Sequence, residues 1–554
     1  MQAVKSKEVE EVVSDMRTQW NLADCLDRVA AISGDEDSLI QGARRLSWRQ
    51  VERRARNLGA WMLEQGAVRQ GKVAIYTYNH SAFLETMYAA FKAALVPVNV
   101  NYRYREEELR YLFDNADTEI VVVHQDFVPL LAKVIGDLPK IRGVLVVAEG
   151  TPSTAALPAA QDYETVAQTD HPAPAAQRSG DDLILLYTGG TTGMPKGVMW
   201  RQDDLYYRFA AGGLADPPAE MAAFEEYVRT LPVRLRTLVG PPLMHGTGWF
   251  TAMIAWLSGG AVMMLDNPKS FDAVQLWEVV DRAKPAVITI VGDPFAKPML
   301  QALETAPRPY DTSSVAMIVS SGVMWSQEVK QGLLKHNPNM MLVDAFSSSE
   351  ALGMAVSFTG KDGGNATAKF QVTDKTKLFD EQLKPLEVKP GVTGLVGVGG
   401  NQPIGYYKDP EKRERTFVEA DGGVYVVPGD WVVVEEDGFT LSVLGRGSVC
   451  INTGGEKVYP EEVEEIVKRF PGVEDAVVVG VPDERWGEAV TAVVSTAGQD
   501  ADGEALKRFV KQHLAGYKAP KHVVFVAEVY RSPSGKVDFR RTKQVALEAL
   551  GIKN

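Results

Sequence analysis

Cysteine is almost absent from this chain: Cys25 and Cys450 are the only two in 554 residues. So few thiols exclude a disulfide scaffold and a zinc site built from cysteines, and they suit the reducing cytoplasm. Positive charge is also in deficit, with 59 Lys+Arg against 72 Asp+Glu and a formal net charge of −13. Nonspecific nucleic-acid binding needs clustered positive charge, so no nucleic-acid partner is expected. Long hydrophobic runs are missing too. The uncharged apolar stretch at residues 249–265 is interrupted by Ser258-Gly259-Gly260. It falls short of the roughly 20 apolar residues a bilayer-spanning helix needs and reads as a buried helix, turn and strand. The opening MQAVKSKEVEEVVSDM carries acids where an export signal needs an apolar core, so neither a signal nor a transmembrane segment is expected. No internal repeat is visible.

What is present is an ordinary globular composition, 45% apolar and 24% charged. Helical and strand-like pieces alternate: a helix over 48–65 stopping at Gly66, the strand KVAIY at 72–76, a helix over 82–94, the strand 96–99, a helix over 106–115 and the strand 119–124. The rhythm returns at 261–265, 273–283, 286–291 and 296–303. Such alternation predicts α/β layers around a mostly parallel sheet. Residues 151–180, rich in Ala, Pro, Ser and Thr, read as a surface connection. Residues 393–445 read as short strands and turns, a distorted β subdomain. Beyond them Pro460 opens a helix with Val463, Ile466, Val467 and Phe470 as its apolar stripe, followed by strands at 476–481 and 489–495 and a helix over 504–514. The expected organisation is a large α/β body, residues 1–445, and a small mobile α+β lid, residues 446–554.

One stretch carries the most chemistry. In LLYTGGTTGMPKGVMW an apolar strand runs into Thr188-Gly189-Gly190-Thr191-Thr192-Gly193, then Pro195-Lys196-Gly197, then a second apolar strand. Glycines leave backbone N–H groups open to an anion, the threonine hydroxyls add donors, and Lys196 adds a mobile cation. That combination suits polyphosphate. It is not a Walker A loop, which needs Gly before the lysine, Ser or Thr after it, and a helix next.

The segment YTGGTTGMPKGV resembles the phosphate-binding loop of the adenylate-forming enzymes, the family of acyl-CoA synthetases, luciferases and peptide-synthetase adenylation domains. Further segments match in the family's order, so the resemblance spans nearly the whole chain. Pro241-Pro242-Leu243-Met244-His245-Gly246 resembles the segment lining the acyl pocket, which implies that His245 orients the substrate carboxylate. Residues 246–249, 292–293 and 320–322, many of them small, are expected to line that pocket; Gly322 is assigned to the ligand site. Asp344-Ala345-Phe346-Ser347-Ser348-Ser349-Glu350 resembles the aromatic-x-x-Thr-Glu segment. The resemblance implies that Phe346 stacks on adenine, Ser349 donates to phosphate and Glu350 holds Mg²⁺. Ser replaces the commoner Thr and Phe the commoner Tyr, yet the hydroxyl and the ring face remain. YVVPGD ends in Asp430, implied to bind the ribose hydroxyls, and Arg446 matches the arginine that contacts ribose or phosphate. Ser448 stands at the hinge position, Gly454-Gly455 resemble the loop forming the pantetheine tunnel, and Ser532-Pro533-Ser534-Gly535-Lys536 resembles the segment with the adenylation lysine, Lys536.

The resemblance implies ATP, Mg²⁺ and CoA as cofactors, a small-molecule carboxylic acid as substrate, and a cytoplasmic acid–thiol ligase. It is nearest the bacterial fatty-acid and sterol-side-chain CoA ligases, which implies a bulky apolar acid. Two other readings stay open: an adenylating enzyme with a different acceptor (an acyl-carrier protein, or oxygen as in luciferases), and a nucleotide-binding regulator without catalysis. The oligomeric state, a homo-oligomer included, is not legible.

Overall fold

The computed structural model describes residues 20–150, 152–157, 159–188, 194–211, 217–323, 325–361, 363–364, 369–446, 451–453, 456–483, 486–496, 498, 502–532, 535 and 537–552. An eight-stranded sheet occupies the first half; its strands, by first residue, lie in the order 405, 196, 183, 96, 72, 118, 143, 161. Strands from Leu183–Thr188 through Gln161–Asp162 run parallel, and Lys196–Arg201 and Gly405–Tyr406 extend one edge antiparallel. KVAIY, TEIVVVH and GVLVV are buried along nearly their whole length, with apolar central residues, because helices cover both faces of this sheet. Trp61, Phe83 and Leu84 of helices Trp48–Glu64 and Ser81–Lys92 belong to one core, and Leu109, Leu112 and Phe113 of helix Glu106–Asn115 to the other. Ser47 and Gln50 form a reciprocal cap that starts the helix at Trp48.

A second sheet places Asp37–Gln41, Ala261–Met264, Arg236–Val239, Val287–Ile290, Met317–Ser321 and Met341–Phe346 side by side and parallel. It continues antiparallel through Ala355–Gly360, Lys369–Gln371, Thr440–Arg446, Asp430–Val434 and Thr393–Val398, the distorted β part. A smaller third sheet, built around Val473–Asp483 and Gly487–Thr496, packs with helices Pro460–Lys468 and Gly503–His513 over its own core of Val463, Val467, Val478, Val490 and Leu506. The architecture is the expected α/β body with a smaller α+β domain. Residues 249–265 form the expected helix end, turn and strand, with Gly259 at φ 72. A β-carbon at Gly260 would lie 1.7 Å from the Leu235 carbonyl oxygen, so only glycine fits there.

Residues 151–180 correct the sequence reading. They supply an edge strand, Gln161–Asp162, parallel to Gly143–Val147, and a helix, Tyr163–Gln168. Asp162 caps that helix by accepting from Glu164 and Thr165, and Tyr163 and Ala167 are buried. The Ala- and Pro-rich flanks mask this short element in composition. Among the described residues no helix is long and apolar enough to cross a membrane.

Candidate functional site

Strands Leu183–Thr188 and Lys196–Arg201 pair antiparallel, with Thr188 opposite Lys196. The glycine-rich loop is therefore a strand–loop–strand, and Lys196 stands at its mouth. The Lys196 side chain is 38% exposed, and its Nζ donates to Asp409 Oδ2 at 2.5 Å. That hydrogen bond raises the pKa of Lys196 and lowers that of Asp409. Residues Gly189, Gly190, Thr191, Thr192 and Gly193 lie outside the described residues.

Three links bring the phosphate strands to the Ser349-Glu350 segment. Trp200 Nε1 donates to the Ser349 carbonyl at 3.0 Å. The short strand Gly405–Tyr406 pairs with Lys196–Arg201, and from it the Tyr406 hydroxyl donates to Glu350 Oε1 at 2.9 Å. Lys412 Nζ lies 3.9 Å from the same oxygen and 4.1 Å from the Tyr406 ring centroid. Glu350 is 13% exposed, a hard oxygen ligand at the edge of the site. A divalent cation carried by a triphosphate needs only one or two protein carboxylates, so this donor fits Mg²⁺. Phe346 ends its strand, half-buried, and stacks on Phe370 with ring centroids 5.3 Å apart. Gly322 follows the neighbouring strand, in which Ser321 pairs with Ala345, so Gly322 and Phe346 sit at adjacent strand ends. Its φ of 94 is left-handed, a conformation that favours glycine. Gly292 N donates to Ser320 Oγ at 2.9 Å, which joins two of the expected pocket segments.

His245 is the residue before helix Gly246–Leu257, with extended backbone and its N–H on the Pro242 carbonyl. Two asparagines that the sequence reading missed hold this segment. Asn79 Nδ2 donates to the Pro241 carbonyl and its Oδ1 accepts from Leu243 N. Asn99 Nδ2 donates to the carbonyls of Tyr187 (2.9 Å) and Met244 (2.6 Å), and its Oδ1 accepts from Tyr187 N at 2.7 Å. Asn99 thus pins the end of the phosphate strand to the residue preceding His245. Its position at the end of VPVN was the only sequence signal. Asn99→Ala leaves three buried backbone groups without their partner and is expected to cost about 3 kcal/mol. A urea midpoint shifted by less than a third of that would show the clamp to be dispensable. At the far end of the helix that follows His245 lies a small apolar cavity lined by Tyr206, Phe209, Phe224, Tyr227, Ile254 and Leu257, and none of the segments expected to line the acyl pocket borders it.

Asp430 opens its strand opposite Arg446 and is 6% exposed. The Arg446 side chain, Gly447, Ser448, Gly454, Gly455 and Lys536 lie outside the described residues. Gly535, next to Lys536, is described and stands at φ 75. A β-carbon there would lie 3.1 Å from Pro294 Cγ and 3.5 Å from the Val291 carbonyl oxygen. Val291 also faces Gly322, 3.9 Å from a β-carbon built there, so Gly535 packs at the edge that carries Gly322 and Phe346. Arg531 braces Gly535: its guanidinium donates twice to Asp475, at 2.6 and 3.0 Å, and Nη1 donates to the Gly535 carbonyl at 3.0 Å. Lys297 Nζ donates to the Glu474 carbonyl at 2.8 Å, a second tie between the small domain and the body. The carboxyl edge of the second sheet therefore meets the small domain, and Ser349-Glu350 just beyond that edge is tied to the phosphate strands of the first sheet; open α/β sheets bind ligands at such strand ends.

Residues 23–407 match the family model of the AMP-binding enzyme, and residues 462–536 match that of the AMP-binding enzyme C-terminal domain. The chain is 39% identical over 535 residues to a 3-oxocholest-4-en-26-oate–CoA ligase of Rhodococcus rhodochrous, covering 94% of this chain and 95% of that protein. It is 37% identical over 543 residues to a medium/long-chain-fatty-acid–CoA/3-oxocholest-4-en-26-oate–CoA ligase of Mycobacterium marinum, covering 96% and 97%. Among solved structures, the anthranilate CoA ligase AuaEII in complex with anthranoyl-AMP has the same fold, with a TM-score of 0.80 at 21% identity over 97% of this chain and 99% of that one.

Proposed function

The chain belongs to the family of AMP-binding enzymes, and from that premise we propose that it is an AMP-forming acyl-CoA ligase for a bulky apolar acid, a fatty acid or a sterol side-chain acid. The observation that carries the reading is that the Lys196 strand is tied to Glu350 through Tyr406, while Phe346 and Gly322 end neighbouring strands at the edge against which Gly535 packs. The names of the relatives support the acid class.

In the first step a carboxylate oxygen attacks the α-phosphorus of ATP, the acyl–phosphate bond forms, and pyrophosphate leaves. In the second, the CoA sulfur attacks the acyl carbon, gives up its proton, and AMP leaves. Loop amides of residues 189–193 and Lys196 hold the phosphates. The Phe346 ring supports adenine, Asp430 accepts from the ribose hydroxyls through charge-assisted bonds, and Arg446 lies opposite it. His245 orients the acid, and Lys536 bridges the carboxylate and the α-phosphate. Mg²⁺, held by Glu350 when bound, supplies charge neutralisation on the triphosphate. The small domain, divided from the body at 445/446, turns about Gly445–Ser448 and brings the Gly454-Gly455 side to the acyl carbon for CoA. We place the reaction in the cytoplasm, which supplies both ATP and CoA.

Purified protein given ATP, Mg²⁺, CoA and a panel of carboxylic acids, read by mass spectrometry, should form acyl-CoA and release AMP only when CoA is present. ATP–pyrophosphate exchange without CoA-dependent AMP release would transfer the reading to another acceptor. Absence of exchange with every acid would reduce the protein to a nucleotide-binding regulator.

A further inference from the structure

Asp409 belongs to none of the segments discussed in the sequence, yet it holds Lys196. We propose that Asp409 is a positioning residue for Lys196, keeping its ammonium aimed at the mouth of the phosphate loop before ATP arrives. The inference rests on the ATP reading above and goes beyond it.

The local backbone is built to deliver this carboxylate. Ile404 N donates to the Met199 carbonyl and Tyr407 N to the Gly197 carbonyl, at 2.9 and 2.8 Å, so the segment runs pinned beside the lysine strand. At Lys408 the chain turns through φ 55, a left-handed conformation that a residue with a β-carbon rarely adopts. Such strain persists where surrounding contacts over-determine it. Here Lys408 Nζ reaches Asp117 Oδ2 at 2.8 Å, and the Tyr407 hydroxyl donates to the same oxygen at 2.7 Å. The turn presents Asp409 as the cap of helix Pro410–Thr416.

The two oxygens of Asp409 then divide their work. Oδ1 accepts from Lys412 N at 3.0 Å and fixes the carboxylate to the helix. Oδ2 accepts from Lys196 Nζ. Capping alone would be met as well by Asn or Ser, so the negative charge serves the lysine. A partly exposed ion pair adds little to stability, which also points to position as its contribution. A lysine side chain loses considerable rotamer freedom when a ligand fixes it, and fixing it in advance removes that loss from binding. An ammonium has three donors, so one can stay on Asp409 while two meet phosphate oxygens.

Asp409→Asn keeps an oxygen for the cap and drops the charge. Mg·ATP affinity by titration calorimetry and the KM for ATP should both worsen about tenfold, the effect of losing pre-organisation and charge assistance at one lysine. The melting temperature and the KM for the acid should stay as in the parent. In a K196A background the same change should add nothing. Parent-like binding of Mg·ATP by D409N, with K196A weakened, would overturn the proposal alone, as would effects of the two changes that simply add. Parent protein that takes up no Mg·ATP, or K196A protein that binds it undiminished, would remove the ATP reading itself and the proposal with it.

Discussion

Lys536→Ala is expected to slow acyl-adenylate formation about a thousandfold while leaving thioester formation from supplied acyl-adenylate within about twofold. The first step brings a carboxylate and a phosphate together, and like charges at about 4 Å repel by roughly 4 kcal/mol at an effective dielectric near 20. Uncompensated, that is nearly three powers of ten in rate. A cation between the two anions acts by electrostatic positioning, with no covalent intermediate on the enzyme. Gly535, the residue before Lys536, is anchored against Pro294 and Val291 and by Arg531 on its carbonyl. The second step needs a thiol at the acyl carbon and no longer that bridge. ATP–pyrophosphate exchange measures the first step, and a single turnover of synthetic acyl-adenylate with CoA measures the second. Equal loss in both would remove Lys536 from its proposed place.

Local pattern carried most of the fold. The strand Lys72–Tyr76, the strand Val96–Asn99 and the helix Glu106–Asn115 have the limits their periodicity predicts, because a covered parallel strand and an amphipathic helix each leave their own period in the sequence. The helix after Gly292 starts at Asp293, three residues before the expected start at 296, since Gly292 at φ 56 and Pro294 in the first turn set its beginning. Tyr163–Gln168 was not legible, its single turn and a half being too short for a period to emerge. The residues proposed to touch ligand stand in motifs that the sequence displays. Those that hold them do not. Asn79, Asn99, Tyr406 and Asp409 act on partners far along the chain, and one polar residue in a strand end or turn carries no sign of the carbonyl or ammonium it will meet. Asp344 was read only as the first residue of the Phe346 segment. Its side chain is 8% exposed and faces Lys330 Nζ at 3.2 Å.

That buried pair supports the second large effect: Lys330→Met should destabilise the protein by about 3–5 kcal/mol at neutral pH, the cost of leaving a buried charge without its partner. Lys330, in helix Gln327–His336, is 1% exposed and lies 5.3 Å from the Trp325 ring centroid, so no water replaces its ammonium without repacking. Even beside this lysine the Asp344 carboxyl is held above its ordinary value of 3.8, first by burial, with Asp293 adding to the rise. Removing Lys330 removes the main opposing influence and lifts it further. A carboxyl whose folded pKa exceeds its unfolded one carries no penalty below the unfolded value, and stability falls as pH rises from there through the folded pKa. The deficit of the variant should therefore shrink as pH falls toward 3.8, and urea midpoints taken from neutral to mildly acidic solution would follow it. The companion change Lys330→Met with Asp344→Leu removes both charges and should recover most of the loss, because a buried ion pair replaced by apolar groups of similar size is often close to neutral. Phe346 lies two residues beyond Asp344 on the same strand, so the recovered double variant also separates the fold from the site. Restored stability with weakened Mg·ATP binding would mean that the pair aligns the adenine-facing strand end. A double variant no more stable than Lys330→Met would mean that the lysine packs the helix and that the charge on Asp344 is not what it answers.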